Sequence, residues 1–429
     1  MKVLIVGSGA REHALAWRIK QSLNLTQLWV AGGNAGTAQL ADNIEIRSND
    51  VDSLVAAAQD IAADLVVVGP EAPLTLGLVD RLDQLGIPAF GPSKAASMIE
   101  ASKGFALDLM RGAGVPCPDF HVFSDQTKAL DYLKSHLGPV VVKADGLAAG
   151  KGVLLCNDSE EAALAIKECM SERAFGKAGD TVVLEEYLSG PEISVFAFCD
   201  GERISPLVAA CDYKRLEEGN LGLNTGGMGS FAQPDLWNSD LSAQVESTIM
   251  RPVLRAMAEQ GAPYKGVLYA GLMLTESGPT VLEFNCRLGD PETQVVIPLL
   301  KSDPLELMMA CAQNNLGQTE VIWDDTTYVG IVMVAGGYPG EYQTGFQIAG
   351  LDEDGPEDTM VFHAGTKLDQ AGTPLTSGGR VLTVVGGGDD LKAAKKRAYS
   401  RVESISFQGA RWRRDIGSSA NQGATQATG

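Results

Sequence analysis

Short apolar runs separated by helix-like segments open the chain: KVLIV at 2–6, LWVA at 28–31 and DLVVVG at 64–69. Runs of this length without polar alternation predict strands covered on both faces. The segments between them predict crossover helices, and together they predict a parallel α/β unit. Gly69-Pro70 and Gly91-Pro92 punctuate strand ends, and GAGVPCP at 112–118 reads as a connection between lobes, so the first unit is placed at 1–101. From 118 to 190, FHVF, VVVKADG, VLLC and VVLEEYL predict strands, with a helix over 159–171 opened by a Ser-x-Glu cap. ISVFAF at 193–198, GVLYAGLML at 266–274 and TVLEFN at 280–285 predict a second strand-rich stretch, with a long helix near 241–260. YVGIVMVAGG at 328–337, GGRVLTVVGGG at 378–388 and a basic helix at 391–404 predict a small C-terminal α+β unit over 326–418. The tail 419–429 has no apolar anchor and is expected to be disordered.

Composition narrows the classes. A chain of 429 residues has room for several cores, since domains run to about 100–200 residues. With 45% apolar and 21% charged residues it reads as folded rather than disordered, and 49 glycines without a fixed period point to many tight loops rather than to collagen. The 34 Lys and Arg against 54 Asp and Glu give a net charge of −20, which would repel a polyphosphate backbone. No nucleic-acid or membrane partner is therefore expected, and any phosphate chemistry must gather its cations locally. The seven cysteines are scattered from Cys117 to Cys311 with no CxxC pair, which indicates neither a disulfide framework nor a zinc site and fits a reducing, cytoplasmic setting. The N-terminal apolar run is too short for a signal-peptide core.

Four constellations carry candidate chemistry. In GSGAREHAL at 7–15, Gly7 and Gly9 permit a tight turn whose amides, with the following helix N-terminus, form an anion site. A dinucleotide reading is disfavoured, because Glu12 stands where GxGxxG needs its third glycine and the second strand ends in AGGN rather than an acid. Arg11 suits a phosphate monoester, and Glu12 and His13 suit a sugar or an amine. In VVVKADGLAAGKGV at 140–153, Lys143 ends a strand, and Gly146, Gly150 and Gly152 with Lys151 form a flexible loop able to cover a polyphosphate. It is not a Walker A loop, since Gly152 rather than Ser or Thr follows Lys151. In VVLEEYLSGPEISV at 182–195, a strand end with Glu185, Glu186 and Tyr187, followed by Glu192, offers groups to an adenine edge and a ribose. In TVLEFNCRLGDPETQ at 280–294, Glu283 and Asn285 lie two apart on a strand and present hard oxygens on one side to a divalent cation. Arg287 can hold a carboxylate or a phosphoryl group in two-point fashion, and Asp290 lies in the same loop. The loop 211–230 adds Asp212, Lys214 and Asn224 as substrate contacts, and Lys103 sits on an amphipathic helix.

Lys103, Lys143, the 146–152 loop, EEYL with Glu192, and EFNCRLGDPETQ together resemble the ATP-grasp superfamily, in which two α+β lobes hold ATP between them. GSGAREHAL, GNAGT at 33–37, GPEAPL at 69–74, KADGLAAGKGV, NTGGMG at 224–229, GGYPG at 336–340, HAGTK at 363–367 and WRRDIG at 412–417 narrow the resemblance to the phosphoribosylamine-glycine ligase family, over about residues 1–417. It implies an ATP-grasp fold over 102–325, with a mobile lid lobe at 118–190 and a central lobe at 191–325, preceded by a Rossmann-like domain and followed by the C-terminal domain. It also implies joining of glycine to 5-phosphoribosylamine through a glycyl phosphate, with Mg2+ or Mn2+ and with ATP as substrate, in a monomer or weak homodimer.

By the same resemblance Lys103, Lys143, Gly146, Gly150, Lys151 and Gly152 hold phosphates, Glu185, Glu186, Tyr187 and Leu188 line the adenine pocket, and Glu192 binds ribose. Glu283 and Asn285 bind metal. Arg287, Asp290 and Asp212 serve glycine and its acyl phosphate, with Lys214 beside them as a catalytic residue, while Gly9, Arg11, Glu12 and Glu71 serve phosphoribosylamine, and His13 and Asn224 are further substrate-binding residues. The chain departs from the family at Ala10, where a second glycine is usual, and at NLGL, 220–223, where an acid and a proline are common. Another ATP-grasp ligase and a non-catalytic nucleotide-binding module are the rival readings.

Overall fold

The computed structural model describes residues 1–136, 138–148, 152–353 and 355–418. Five parallel strands form the N-terminal sheet, in the order Asp42–Ile44, Gln27–Gly32, Lys2–Gly7, Leu65–Val68, Ala89–Phe90. Lys2–Gly7 is buried from its second residue onward because helices and neighbouring lobes cover both faces, as its unbroken apolar run requires. The chain builds outward on one side of this strand and returns on the other. The switch point between Lys2–Gly7 and Leu65–Val68 therefore opens a crevice at their carboxyl ends, the usual ligand position in such sheets. Helices Ala10–Ile19 and Glu71–Thr75 start there, carrying Arg11 and Glu71.

A second sheet has four antiparallel strands in the order Phe120–Phe123, Val182–Glu186, Val140–Ala144, Val153–Cys156. Helices Gln126–Leu133 and Ser159–Met170 cover it through Ala129, Leu133, Ala162 and Ile166. The second of these helices is capped one residue earlier than the sequence suggests. Asp158, in extended backbone, accepts the N–H groups of Glu160 and Glu161, each at 2.9 Å.

The third sheet is continuous across what the sequence divides into central and C-terminal units. Its eight strands run Gly278–Asn285, Lys265–Thr275, Glu192–Asp200, Val208–Asp212, Gly229–Ala232, Thr327–Val334, Arg380–Gly388, Thr359–His363, with antiparallel neighbours. The join is the pairing of Ser230 with Gly330. Helix Leu391–Ser404 packs on the C-terminal end. At Gly386 a Cβ would stand 2.4 Å from the Ala398 nitrogen, so the glycine run is what lets the helix approach. The expected helix near 241–260 spans Ser239–Val245, a wider π turn at Glu246–Met250, and Arg251–Glu259. The wide turn lies just before Pro252, which cannot donate to the preceding turn.

Two apolar clusters, one on each face of the N-terminal sheet, continue into the rest of the molecule. One joins Leu4 and Val66 to Ile193, Val253 and Leu268, and the other joins Ile5 and Val67 to Phe196, Val267 and Leu305. The crevice at the switch point is thereby held facing the third sheet. All seven cysteines are free thiols, and no helix among the described residues is long and apolar enough to cross a membrane.

Candidate active site

The three sheets surround a cavity of about 520 Å³. On one wall, Lys103 begins helix Lys103–Ala113, whose cap Ser102 accepts the Phe105 N–H at 3.1 Å. The Lys103 Nζ donates to the Gly146 carbonyl at 3.0 Å, and Asp145 accepts the Gly104 N–H at 3.1 Å, so this helix start is tied to the loop of the small lobe. Lys143 donates to the Leu282 carbonyl at 2.9 Å and pairs with Glu185 at 2.7 Å. Gly146, Gly152, Glu186 and Leu188 complete this wall, which Tyr187 does not line. Gly150 and Lys151, like the tail 419–429, lie outside the described residues.

The floor comes from the third sheet. Lys214 reaches Glu192 at 2.8 Å and Asp212 at 3.9 Å. The NTGGMG segment fixes Lys214 from behind, with both the N–H and the hydroxyl of Thr225 donating to the Lys214 carbonyl at 2.8 Å. Asn224, Glu283 and Asn285 also line the cavity. A register shift opposite Gly271–Leu272 precedes Glu283, and Glu283 and Asn285 keep their two-residue spacing beyond it. Burial alone would raise the Glu283 carboxyl, yet Lys214, Lys143, Lys103 and Arg287 hold it below the usual carboxylate range. Burial, only partly offset by Lys214 and reinforced by Glu292, Glu192 and Glu283, pushes Asp212 up to about 7. Sequence reasoning missed the buried group beside it: Tyr269 donates to Glu292 at 2.8 Å and lies 2.8 Å from the Ser194 hydroxyl.

At the switch point, Arg287 pairs with Glu71 at 3.2 Å and with Glu100 at 2.9 Å. Burial works against the Arg287 charge, and Glu100 and Glu71 more than restore it. Glu100, which also accepts the Cys286 N–H at 2.7 Å, was not predicted. Nor was Arg380 of the C-terminal strand, which pairs with Asp290 at 3.0 Å. Arg11 donates to the Leu288 carbonyl at 3.1 Å. Arg11, Arg287 and Arg380, from three separate parts of the chain, thus converge on residues 287–290.

Three expectations at the first turn need correction. Gly9, Glu12 and His13 do not line the cavity. The Gly9 N–H, expected to serve an anion, donates instead to Glu12 at 2.6 Å, so Glu12 caps its own helix while also pairing with Arg11 at 2.6 Å. Its carboxylate lies over Gly69, where a Cβ would stand 2.1 Å from Oε1. His13 accepts the His363 N–H at 2.8 Å, and burial, with His363 beside it, lowers it to about 3, so it is a neutral joint to the C-terminal lobe rather than a substrate contact. Ala10, the family departure, begins the helix and is buried, a place where alanine is favoured.

Three family profiles cover the chain in order: phosphoribosylglycinamide synthetase N domain over 1–100, its ATP-grasp (A) domain over 101–293, and its C domain over 328–419. A phosphoribosylamine–glycine ligase of Caldanaerobacter subterraneus is 45% identical over 416 residues, covering 97% of this chain and 99% of that protein. One from Nostoc sp. is 45% identical over 425 residues, covering 98% and 100%. The crystal structure of the Thermotoga maritima phosphoribosylamine–glycine ligase matches with a TM-score of 0.82 at 32% identity, covering 97% of this chain and 100% of that one. A biotin carboxylase domain from Hydrogenobacter thermophilus, with a TM-score of 0.73 at 18% identity over 96% of this chain and 91% of that one, shares the fold alone.

Proposed function

The chain belongs to the phosphoribosylglycinamide synthetase family, and from that premise we propose which of its residues join glycine to 5-phosphoribosylamine. It is an ATP-dependent ligase of purine biosynthesis, whose products are glycinamide ribonucleotide, ADP and phosphate. One observation carries the residue assignment: the nucleotide-type wall, the carboxylate floor and the arginine cluster face a single cavity.

A glycine carboxylate resists attack by an amine at neutral pH. Its oxygen therefore takes the terminal phosphoryl group of ATP, which releases ADP and leaves glycyl phosphate. The nitrogen of phosphoribosylamine attacks the glycyl carbonyl, the C–N bond forms, phosphate departs, and the nitrogen loses a proton. Such transfers need positioning and charge neutralisation more than a covalent nucleophile.

Lys103, Lys143, Gly146 and Gly152, with Gly150 and Lys151, are assigned to the phosphates. Glu185, Glu186 and Leu188 take the adenine, and Glu192 takes the ribose. Arg287, Asp290, Asp212 and Lys214 are assigned to glycine and its acyl phosphate. Arg11, Glu71 and Asn224 are assigned to phosphoribosylamine. The donor set at Glu283 and Asn285 fits Mg2+ or Mn2+, because both offer hard oxygens and four nearby cations keep Glu283 ionised. Among the described residues no three His, Cys, Asp or Glu gather as a ready cage, which suits a cation that completes its shell with phosphate oxygens and water. When bound, that cation neutralises phosphate charge. The lobes around the cavity exclude water from the acyl phosphate.

A reducing, cytoplasmic setting fits the free thiols. The assignment is tested by substrate omission: phosphate release from Mg-ATP should require glycine and phosphoribosylamine together.

A further inference from the structure

Asp290 is gripped from behind at three points. Gln294 Nε2 donates to one carboxylate oxygen at 2.8 Å, Arg380 Nη2 donates to the other at 3.0 Å, and Arg380 Nη1 donates to the Asp290 backbone carbonyl at 2.9 Å. Both donors lead to the C-terminal strand Arg380–Gly388: Arg380 begins it, and Gln294 also reaches Thr383 Oγ1 at 3.4 Å. Gln294 is fully buried, and its Oε1 has no hydrogen-bond partner among the described residues, so its amide gives both contacts with its nitrogen end. An ionised carboxylate has about four acceptor positions, and two of those on Asp290 are filled by side chains. The Asp290 side chain lines the cavity, and 17% of its surface is open.

The charge around it is nearly balanced. Arg11, Arg287 and Arg380 face Glu12, Glu71, Glu100 and Asp290, and all of these ion pairs are made inside the protein. A zwitterion, which needs one cation and one anion at a fixed separation, fits such a set.

We propose that Arg380 and Gln294 are positioning residues that aim Asp290 at the ammonium group of glycine, so that the C-terminal strand sets which amino acid the site accepts. The inference rests on the assignment of Asp290 and Arg287 to glycine. An aimed carboxylate fixes the distance from ammonium to the activated carboxyl group, and so separates glycine from β-alanine, which is one methylene longer. Neither Arg380 nor Gln294 needs to touch ATP.

The experiment measures KM for glycine and for ATP, and kcat/KM for glycine against β-alanine, in the wild type, Arg380→Gln, Arg380→Lys and Gln294→Met. Loss of one hydrogen bond to a charged group should raise the glycine KM about tenfold or more in Arg380→Gln. The ATP KM should stay near the wild-type value, and the preference for glycine over β-alanine should shrink. Arg380→Lys, which keeps the charge and a donor, should recover part of the loss. Gln294→Met should move the same ratios in the same direction and decides the matter if Arg380→Gln does not fold. An unchanged glycine KM would overturn the inference. So would a parallel rise in both KM values with a lowered melting temperature, or failure of both variants to fold, since either marks a merely structural role. If the wild type shows no glycine-dependent turnover, the ligase assignment itself falls, and that is visible before any variant is made.

Discussion

Lys143 and Glu185 form an ion pair of 2.7 Å between neighbouring strands of the small lobe, and both residues are at least 95% buried. The second oxygen of Glu185 has no hydrogen-bond partner among the described residues. The pair thus ties the lysine assigned to phosphate to the glutamate assigned to adenine. Removing one partner leaves the other as an uncompensated buried charge, which costs about 3–5 kcal/mol.

Lys143→Ala should therefore lower stability by about that amount and also raise the Kd for a non-hydrolysable ATP analogue about tenfold or more. The double variant Lys143→Met with Glu185→Gln should recover most of the stability and none of the affinity. Denaturant midpoints and a nucleotide titration check both. Wild-type affinity in the double variant would refute the phosphate assignment.

Glu283 is ionised amid Lys214, Lys143, Lys103 and Arg287. Glu283→Gln keeps the size of the side chain but removes the anion that four cations hold ionised, so the metal-free protein should stay folded with a lowered melting temperature. Turnover should fall by orders of magnitude, and more Mg2+ should be needed to reach half of the residual rate. Unaltered turnover at unaltered Mg2+ concentration would remove Glu283 from the metal site.

The Asp212 carboxyl, pushed up to about 7 from an ordinary value of 3.8, gives a pH signature of definite sign. The folded protein holds the proton over a range in which the unfolded chain has lost it. This group therefore favours the fold most below about pH 4, and that contribution is lost as pH rises through about 7. Asp212→Asn lacks the titration, so its stability relative to wild type should increase from pH 4 to pH 7 and then level off. Parallel stability curves for the two proteins would contradict the shifted value.

The strand runs, the basic helix at 391–404 and most of the charged residues that line the cavity were legible in the sequence, because each rests on a local pattern. KVLIV and DLVVVG declare buried parallel strands, and Lys143 and Glu283 stand at strand ends beside loops. Glu100 and Arg380 were not legible, because their partners Arg287 and Asp290 lie 187 and 90 residues away and nothing local marks them. Glu12 misled for the opposite reason. Its position three residues after Gly9 is the spacing of a helix-capping acid, a signal present in the sequence but overridden by the attraction of a glycine turn. His13 carried no local sign of its partner, the His363 backbone, which arrives from the far end of the chain.

The most direct test of the central claim follows oxygen. Purified protein with Mg-ATP, phosphoribosylamine and glycine labelled with 18O in its carboxylate should release phosphate only when all three substrates are present. Each phosphate should carry one labelled oxygen, because the carboxylate oxygen that accepts the phosphoryl group leaves with it. Unlabelled phosphate would contradict a glycyl phosphate, and equal release without glycine or without phosphoribosylamine would contradict the ligase itself.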